Sequence, residues 1–374
     1  MLPRHLGYGV TAWARGEITG HLDGIGVYTR ALHEALVCRM GGDFDSISPF
    51  AFGHMRPEMP CGVPAILARR VSYHLLKAAL FRRRLDCPVD LFHATDHYIP
   101  LLREVPVVAT VMDLIPFLHP EWVSKGLRIV KNELFKRSIL SADHVITISE
   151  HSRRDLITCF GMASDKISVT PLGVDARYFV PVSEDVQQAV LQRYHLDKDF
   201  FLAVGTLQPR KNLENLLNAH ALLPLPLQKR HPVVVVGRAG WSVDALLPRL
   251  QQLEKEGTVR WLNYVPQDDL MALLHSARAL TFLSLYEGFG LPILEAFAAG
   301  CPVIASNTTS IPEVAGDAAL LVDPTQPTLI AQGLSRLIDD DTFVLALKEK
   351  GKKRAAIFTW DACAQATLAA YQRV

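Results

Sequence analysis

Arg210 and Lys211 stand side by side in Thr206-Leu207-Gln208-Pro209-Arg210-Lys211-Asn212, between the apolar run Phe201 to Gly205 and the helical pattern of Leu213 to Ala221. Two cations just ahead of a helix N-terminus, where backbone N–H groups lack intrahelical acceptors, form a physical recipe for holding a diphosphate. The bland alternative is two solvated charges in a loop. A second strand-to-helix turn reads Leu285-Tyr286-Glu287-Gly288-Phe289-Gly290-Leu291-Pro292-Ile293-Leu294-Glu295. Gly288 and Gly290 permit close backbone approach and Pro292 suits a first helical turn, so the amides of Phe289, Gly290 and Leu291 are placed to meet an anion or sugar hydroxyls. Glu287 falls before that helix and Glu295 about one turn inside it, so two carboxylates face one crevice at different depths. Carboxylates accept from hydroxyls while Arg and Lys take phosphate oxygens, and the combination suits a polyol joined to a diphosphate.

The first half of the chain carries fainter signals. Asp113, in Val111-Met112-Asp113-Leu114, stands at a strand end, where it either contacts a ligand or caps a helix. His93 and His97 straddle a strand end instead of sharing a helix face, which disfavours a metal site, and no metal is expected. Gly24-x-Gly26 lacks a third glycine at position 29, which is Thr29, so a dinucleotide fingerprint is also disfavoured.

The elements that must position these residues alternate between short β-branched runs and helical periodicity, which predicts an α/β protein with parallel sheets. Strands are expected near Tyr8 to Ala12, Ser46 to Phe50, Asp90 to His93, Val107 to Met112, His144 to Ile148 and Ile167 to Thr170. A second set is expected near Phe201 to Gly205, Val233 to Gly237, Val259 to Tyr264, Ala279 to Ser284, Val303 to Ser306 and Ala319 to Val322. Val180 and Pro181 interrupt the periodicity, so two Rossmann-like domains are expected, 1–180 and 181–357, followed by a terminal helical segment 358–374.

The 374 residues include 39 Lys plus Arg against 38 Asp plus Glu, a net charge of +1 that gives no whole-protein reason to expect nucleic acid as partner. The six cysteines are scattered without a Cys-x-x-Cys, which argues against a disulfide framework or thiolate zinc site and suits a reducing cytoplasm. No run predicts a membrane span or secretion signal. Charge is nevertheless uneven. Arg69, Arg70, Lys77, Arg82, Arg83 and Arg84 occur without an intervening acid in residues 66–85, a stretch that reads as a basic amphipathic helix able to sit on anionic lipid, or as an ordinary surface helix. The helical stretch Lys125 to Arg137 adds five basic residues against Glu133 alone.

Taken with Pro209-Arg210-Lys211-Asn212, the spacing of Glu287 and Glu295 around Gly288-Phe289-Gly290-Leu291-Pro292 resembles the retaining glycosyltransferases of family 4 with the GT-B fold. The resemblance extends to Gly24-Ile25-Gly26-Val27-Tyr28, Ile146-Thr147-Ile148-Ser149 with Ser152-Arg153-Arg154, Thr170-Pro171-Leu172-Gly173-Val174-Asp175 and Ala299-Gly300-Cys301-Pro302-Val303-Ile304-Ala305. It implies an acceptor-binding first domain, a nucleotide-sugar-binding second domain with a cleft between them, and a last helix, Trp360 to Tyr371, that returns to the first domain. It further implies that Arg210 and Lys211 clamp the diphosphate, that Glu287 contacts the donor sugar near the reacting carbon, and that Glu295 accepts from the ribose hydroxyls. Gly24 and Gly26 resemble a flexible turn that approaches the donor phosphates. Many members carry a His before the Asp at the strand end, where this chain has Met112, so no catalytic His is carried over and Asp113 remains a candidate. The expected donor is GDP-mannose, as in the similar bacterial mannosyltransferases of polysaccharide and O-antigen assembly, with a UDP-hexose as alternative and no metal or other cofactor. The expected partners are a glycan or lipid-linked acceptor and an anionic membrane surface, at the inner face of the plasma membrane. A GT-B epimerase or phosphorylase, and a degenerate glycan- or lipid-binding homologue, are the rival readings.

Overall fold

The computed structural model describes residues 2–52, 69–71, 85, 88–102, 104–122 and 128–374. They form two compact units, Met1–Gly173 with Trp360–Val374, and Val174–Thr359.

The first unit is built on a seven-stranded parallel sheet: β1 (His5–Gly9), β2 (Ser46–Phe52), β3 (Arg69–Val71), β4 (Leu91–Ala94), β5 (Val107–Val111), β6 (His144–Thr147) and β7 (Ile167–Val169), in the order β3-β2-β1-β4-β5-β6-β7. Its helices are α1 (Thr11–Thr19), α2 (Gly24–Val37), α3 (Ile115–Leu118), α4 (Arg128–Ser141) and α5 (Glu150–Phe160). Every residue of β4, β5 and β6 is buried, as expected where helices cover both faces of a parallel sheet. β1 begins three residues before the expected Tyr8 and stops before Thr11, which already opens α1. Its glycines obscure it in the sequence, yet Gly7 is needed there, because a Cβ would come within 2.8 Å of the Phe92 ring.

Two expectations are corrected here. Arg69 and Arg70 do not start a helix; with Val71 they form the edge strand β3, paired with Phe50–Phe52. Lys77, Arg82, Arg83 and Arg84 lie outside the described residues. Gly24 and Gly26 are not in a flexible turn but in the first turn of α2, capped by the Asp23 carboxylate, which accepts from the Gly26 N–H at 2.8 Å.

The second unit repeats the design with β8 (Phe201–Val204), β9 (Val233–Val236), β10 (Val259–Leu262), β11 (Ala279–Phe282), β12 (Val303–Ser306) and β13 (Leu320–Val322), ordered β10-β9-β8-β11-β12-β13 and parallel throughout. The four consecutive valines of β9 show the preference of β-branched side chains for a strand buried on both faces. Around the sheet run α6 (Glu184–Tyr194), α7 (Leu213–His220), α8 (Leu225–Arg230), α9 (Leu246–Glu256), α10 (Gln267–Ser276), α11 (Leu291–Ala298), α12 (Ile311–Ala315), α13 (Pro327–Asp339) and α14 (Asp341–Ala355). Strand order reverses between β8 and β11, and the crevice beyond the carboxyl ends at such a switch point is where open α/β sheets bind ligands.

The last helix, α15 (Trp360–Tyr371), belongs to the first unit and packs against α2. Trp360 meets the Tyr28 ring at 6.4 Å between centroids. Tyr371 Oη lies 2.7 Å from His93 Nδ1, and the opposite ring nitrogen of His93 lies 2.7 Å from Thr110 Oγ1. Burial holds His93 down to about 3, so it stays neutral and seats the helix as part of a hydrogen-bonded network.

Candidate functional site

Arg210 and Lys211 occupy the turn Pro209–Lys211 between β8 and α7. Asn212 closes that turn with φ 58°, and its buried amide donates to the Leu283 carbonyl at 3.0 Å and the Pro324 carbonyl at 2.7 Å. The Leu285 N–H donates to the Arg210 carbonyl at 2.8 Å, so the turn after β8 is tied to the turn after β11. Close backbone packing supports it from the other side: a Cβ on Gly237 would run into the Gly205 carbonyl oxygen, and one on Gly240 into that of Leu207. A small recess of about 30 Å³ lies beside Lys211, lined in part by Gly205, Val235 and Ser284. Asn212→Ala removes the bonds to Leu283 and Pro324 and leaves a left-handed backbone without the residue type that tolerates it. It is expected to lower unfolding stability by about 1–3 kcal/mol in a denaturant titration. An unchanged midpoint would mean that Asn212 does not hold the turn.

Glu287 and the two cations form one constellation. Glu287 Oε1 accepts from Arg210 Nη1 at 2.7 Å and from Lys211 Nζ at 2.6 Å, with the three side chains between 12% and 20% exposed. Arg210 Nε also donates to Gln208 Oε1 at 3.1 Å, and Lys211 Nζ lies 4.8 Å from the Phe282 ring centroid. Burial alone would raise the Glu287 carboxyl, but Lys211, Arg210 and a hydrogen bond with Ser284 outweigh it and bring it down to about 2. Glu287 is therefore a fixed anion throughout the neutral range. Its backbone is pinned as well: Ser310 Oγ donates to the Glu287 carbonyl at 2.8 Å and to that of Phe289 at 3.1 Å, and the Glu287 N–H donates to Thr309 Oγ1 at 3.3 Å.

Beyond Glu287, the N–H groups of Gly288, Phe289, Gly290 and Leu291 donate to no acceptor among the described residues. Gly290 sits at φ 119°, a conformation that favours glycine, and turns the chain into α11, whose dipole adds positive potential at that end. Fixed N–H donors and two cations thus share the β8/β11 switch point, an arrangement suited to binding a diphosphate.

Glu295 lies inside α11 and is partly buried. Burial, with the Asp175 carboxylate adding to it, pushes its carboxyl up to about 7 against a hydrogen bond from Tyr178. A carboxyl raised in this way stabilises the fold fully below its unfolded value, and that contribution is lost as pH rises through 7. Glu295→Gln is accordingly expected to be more stable than the parent at pH 8, by up to about 3 kcal/mol, and equal to it near pH 4. Thermal melts at the two pH values check this; equal differences at both would contradict it.

The remaining candidates belong to the first unit. Asp113 follows β5, and its Oδ1 accepts from the N–H of Ile115, the first residue of α3, at 3.0 Å. The neighbouring Met112 carbonyl accepts from Ser152 Oγ at 3.2 Å. Among the described residues, no group of three or more His, Cys, Asp or Glu side chains is arranged to hold a metal ion. Sequence reasoning missed the residues gathered around the carboxylates. Tyr178 and Gln267 lie far in sequence from Glu295, and Thr309 and Ser310 lie 22 and 23 residues beyond Glu287, with no local pattern to announce them.

Residues 190–354 match the family Glycosyl transferases group 1, and residues 22–178 match Glycosyltransferase Family 4. The chain is 36% identical to O-antigen chain mannosyltransferase B of Escherichia coli over 283 residues, covering 75% of this chain and 74% of that protein. It is 30% identical to O-antigen chain mannosyltransferase RfbU of Salmonella typhimurium over 230 residues, covering 62% of this chain and 60% of the relative. Anabaena Alr3699/HepE, solved in complex with UDP-glucose, shares the fold at a TM-score of 0.72 and 18% identity over 98% of both chains. With two Rossmann-like sheets, a final helix returned to the first, and these matches across both halves, the chain belongs to the retaining family 4 glycosyltransferases of the GT-B fold, enzymes that move a sugar from a nucleotide-sugar donor to a glycan or lipid acceptor.

Proposed function

We propose that the enzyme transfers mannose from GDP-mannose to a glycan or lipid-linked acceptor in surface polysaccharide or lipopolysaccharide assembly, without a metal ion. The observation that carries the donor site is the pair Arg210 and Lys211 closed on Glu287 beside the free N–H groups at the start of α11. The choice of mannose rests on the likeness to O-antigen chain mannosyltransferase B. The second unit binds the donor: Arg210, Lys211 and the amides of Phe289, Gly290 and Leu291 take the diphosphate, while Glu295 accepts from the ribose hydroxyls. As the glycosidic bond to the diphosphate breaks, negative charge grows on the leaving oxygen, and the two cations stabilise it as a divalent metal would elsewhere. Glu287 exchanges its cations for the sugar, next to the carbon where positive charge develops. The departing diphosphate oxygen takes the acceptor proton on the same face, which accounts for retention without a protein base. The first unit presents the acceptor, and Gly24, Gly26 and Asp113 are its candidate residues for that role.

Thermal melts with GDP-mannose, GDP, UDP-glucose and UDP test this reading, because a ligand bound by the folded state alone raises the midpoint in proportion to its affinity. The guanine compounds are expected to raise it. A rise with the uracil compounds alone would replace mannose by a UDP-hexose, and no rise with any of the four would contradict the donor site.

The acceptor side is proposed to meet an anionic membrane surface. No described helix is long and apolar enough to cross a membrane. On α4, however, Ile129 is 81% and Val130 48% exposed next to exposed Lys131 and Arg137, a mixture suited to an interface. Arg69 and Arg70 stand on the edge strand, and the basic residues up to Arg84 continue from it in sequence. Replacing Arg82, Arg83 and Arg84 by Gln is expected to weaken binding to phosphatidylserine vesicles by about 1 kcal/mol per charge, and raised salt should do the same. Co-sedimentation indifferent to both would rule out the surface.

A further inference from the structure

Phe289 stands between Gly288 and Gly290 in the turn whose N–H groups have no acceptor among the described residues, yet its own side chain is buried within the second unit, 3% exposed. There its ring meets that of Phe358 edge-on, at 5.9 Å between centroids and 75° between planes. Phe358 follows the last turn of α14 and lies against Arg354, whose guanidinium is 5.0 Å from its ring centroid. Arg354 Nε donates to the Val314 carbonyl at 3.0 Å and Nη2 to the Glu313 carbonyl at 2.6 Å, so the side chain that supports Phe358 also satisfies carbonyls near the end of α12. The other end of α12 starts from Ser310, whose Oγ donates to the Phe289 carbonyl at 3.1 Å. The contacts thus close on themselves, from Phe289 through Phe358, Arg354, α12 and Ser310 back to Phe289. Phe358 is fixed by its backbone as well, its carbonyl accepting from the Val174 N–H at 3.0 Å and its N–H donating to the Ala355 carbonyl at 3.0 Å. α14 in turn lies along α11, so near that a Cβ on Gly351 would come within 2.8 Å of the Phe297 ring.

We propose that Phe358, set by Arg354, is a positioning residue for donor binding: it holds the Phe289 ring so that the amides at the start of α11 stay aimed at the diphosphate. This rests on those amides being the diphosphate site. Donors aimed in advance stabilise charge without reorganising, whereas a turn left free must be ordered at the expense of affinity. Gly288 and Gly290 give this turn its freedom, since a residue without a Cβ reaches backbone conformations closed to others. Phe289 is the one side chain between them, so it is the handle by which the rest of the unit can fix the turn. Ser310 holds its carbonyl, and the edge-on contact with Phe358 holds its ring. Both restraints are anchored on α12, one at each end, and the turn is therefore carried by a helix and not by a loop.

The test is Phe358→Leu, which keeps an apolar side chain and removes the ring edge. Calorimetry uses GDP or UDP, whichever the parent binds more tightly, at a temperature well below the melting midpoint of every variant. Loosening the turn lowers affinity by the fraction of molecules whose amides remain aimed, and that fraction cannot fall by more than the aromatic pair is worth, so a loss of about fivefold is expected. Phe358→Tyr, which keeps the ring, should stay within about twofold of the parent. In a Phe289→Leu background Phe358→Leu should change affinity by less than about twofold, since a residue acting through the Phe289 ring has nothing left to act on. Arg354→Met, which leaves both rings in place, should give a smaller loss of the same kind. A lowered melting midpoint with unchanged affinity in Phe358→Leu and Arg354→Met, or a full fivefold loss in the Phe289→Leu background, would overturn the proposal. A parent protein that binds neither nucleotide would instead overturn the donor-site reading beneath it.

Discussion

Glu287→Gln is expected to lower turnover about 100-fold, roughly 2.7 kcal/mol of barrier, while binding the nucleoside diphosphate more tightly than the parent does. The two effects have separate causes. Close to the reacting carbon, the carboxylate interacts more strongly as positive charge develops in the transition state, so its neutralisation slows the chemical step. In the free enzyme the same carboxylate occupies Arg210 and Lys211 at 2.7 and 2.6 Å and competes with the diphosphate for them. Glutamine has no charge with which to compete, and an affinity gain of about tenfold is expected. The ligand-free variant should also melt lower, because two largely buried cations lose their counter-ion. With its carboxyl held near 2, Glu287 contributes this stability above its unfolded value and loses it as pH falls toward 2, so parent and variant should converge in acid. Near-normal turnover in Glu287→Gln would remove the residue from the reacting centre, and weaker diphosphate binding would contradict the competition.

Arg210→Ala and Lys211→Ala are each expected to weaken nucleoside diphosphate binding by about 1.5–3 kcal/mol, the range for hydrogen bonds to charged groups. The losses are not expected to add, since each variant leaves Glu287 paired to the cation that remains. Lys211 should show the larger effect on turnover. Its ammonium stands over the Phe282 ring, and burial holds its proton affinity below that of a solvated lysine. Titration calorimetry with GDP and with UDP measures both variants; unaltered affinity in both would remove the clamp.

Much of the fold was legible because parallel strands buried on both faces write themselves as unbroken β-branched runs, of which Val233–Val236 is the plainest. Where the rule weakened, so did the reading. Gly7 and Gly9 hide β1, a strand whose glycine makes room for Phe92, and Arg69-Arg70-Val71 reads as a basic helix because an edge strand need not be apolar on both faces. Gly24 and Gly26 pointed to a loop, whereas Asp23 caps them into a helix. At the site, residue types and spacing named Arg210, Lys211, Glu287 and Glu295, but not their states. That Glu287 is held by both cations, and that Glu295 tends to keep a proton near neutrality, follows from burial and from side chains such as Tyr178, brought in across more than a hundred residues of chain. Local pattern carries no information about such partners.

On the proposed function, this chain holds a nucleotide sugar at the switch point of its second sheet and breaks the bond between sugar and diphosphate there. Release of nucleoside diphosphate during long incubation of the purified protein with GDP-mannose, and in parallel with UDP-glucose, tests it without an acceptor. Slow release from one of the two, strongest for GDP-mannose, reduced about 100-fold by Glu287→Gln and lost with Arg210→Ala plus Lys211→Ala, is the result expected. Donors that stay intact with the parent protein while still raising its melting midpoint would show a binding module in place of a transferase, and release that ignores all three substitutions would place the chemistry elsewhere.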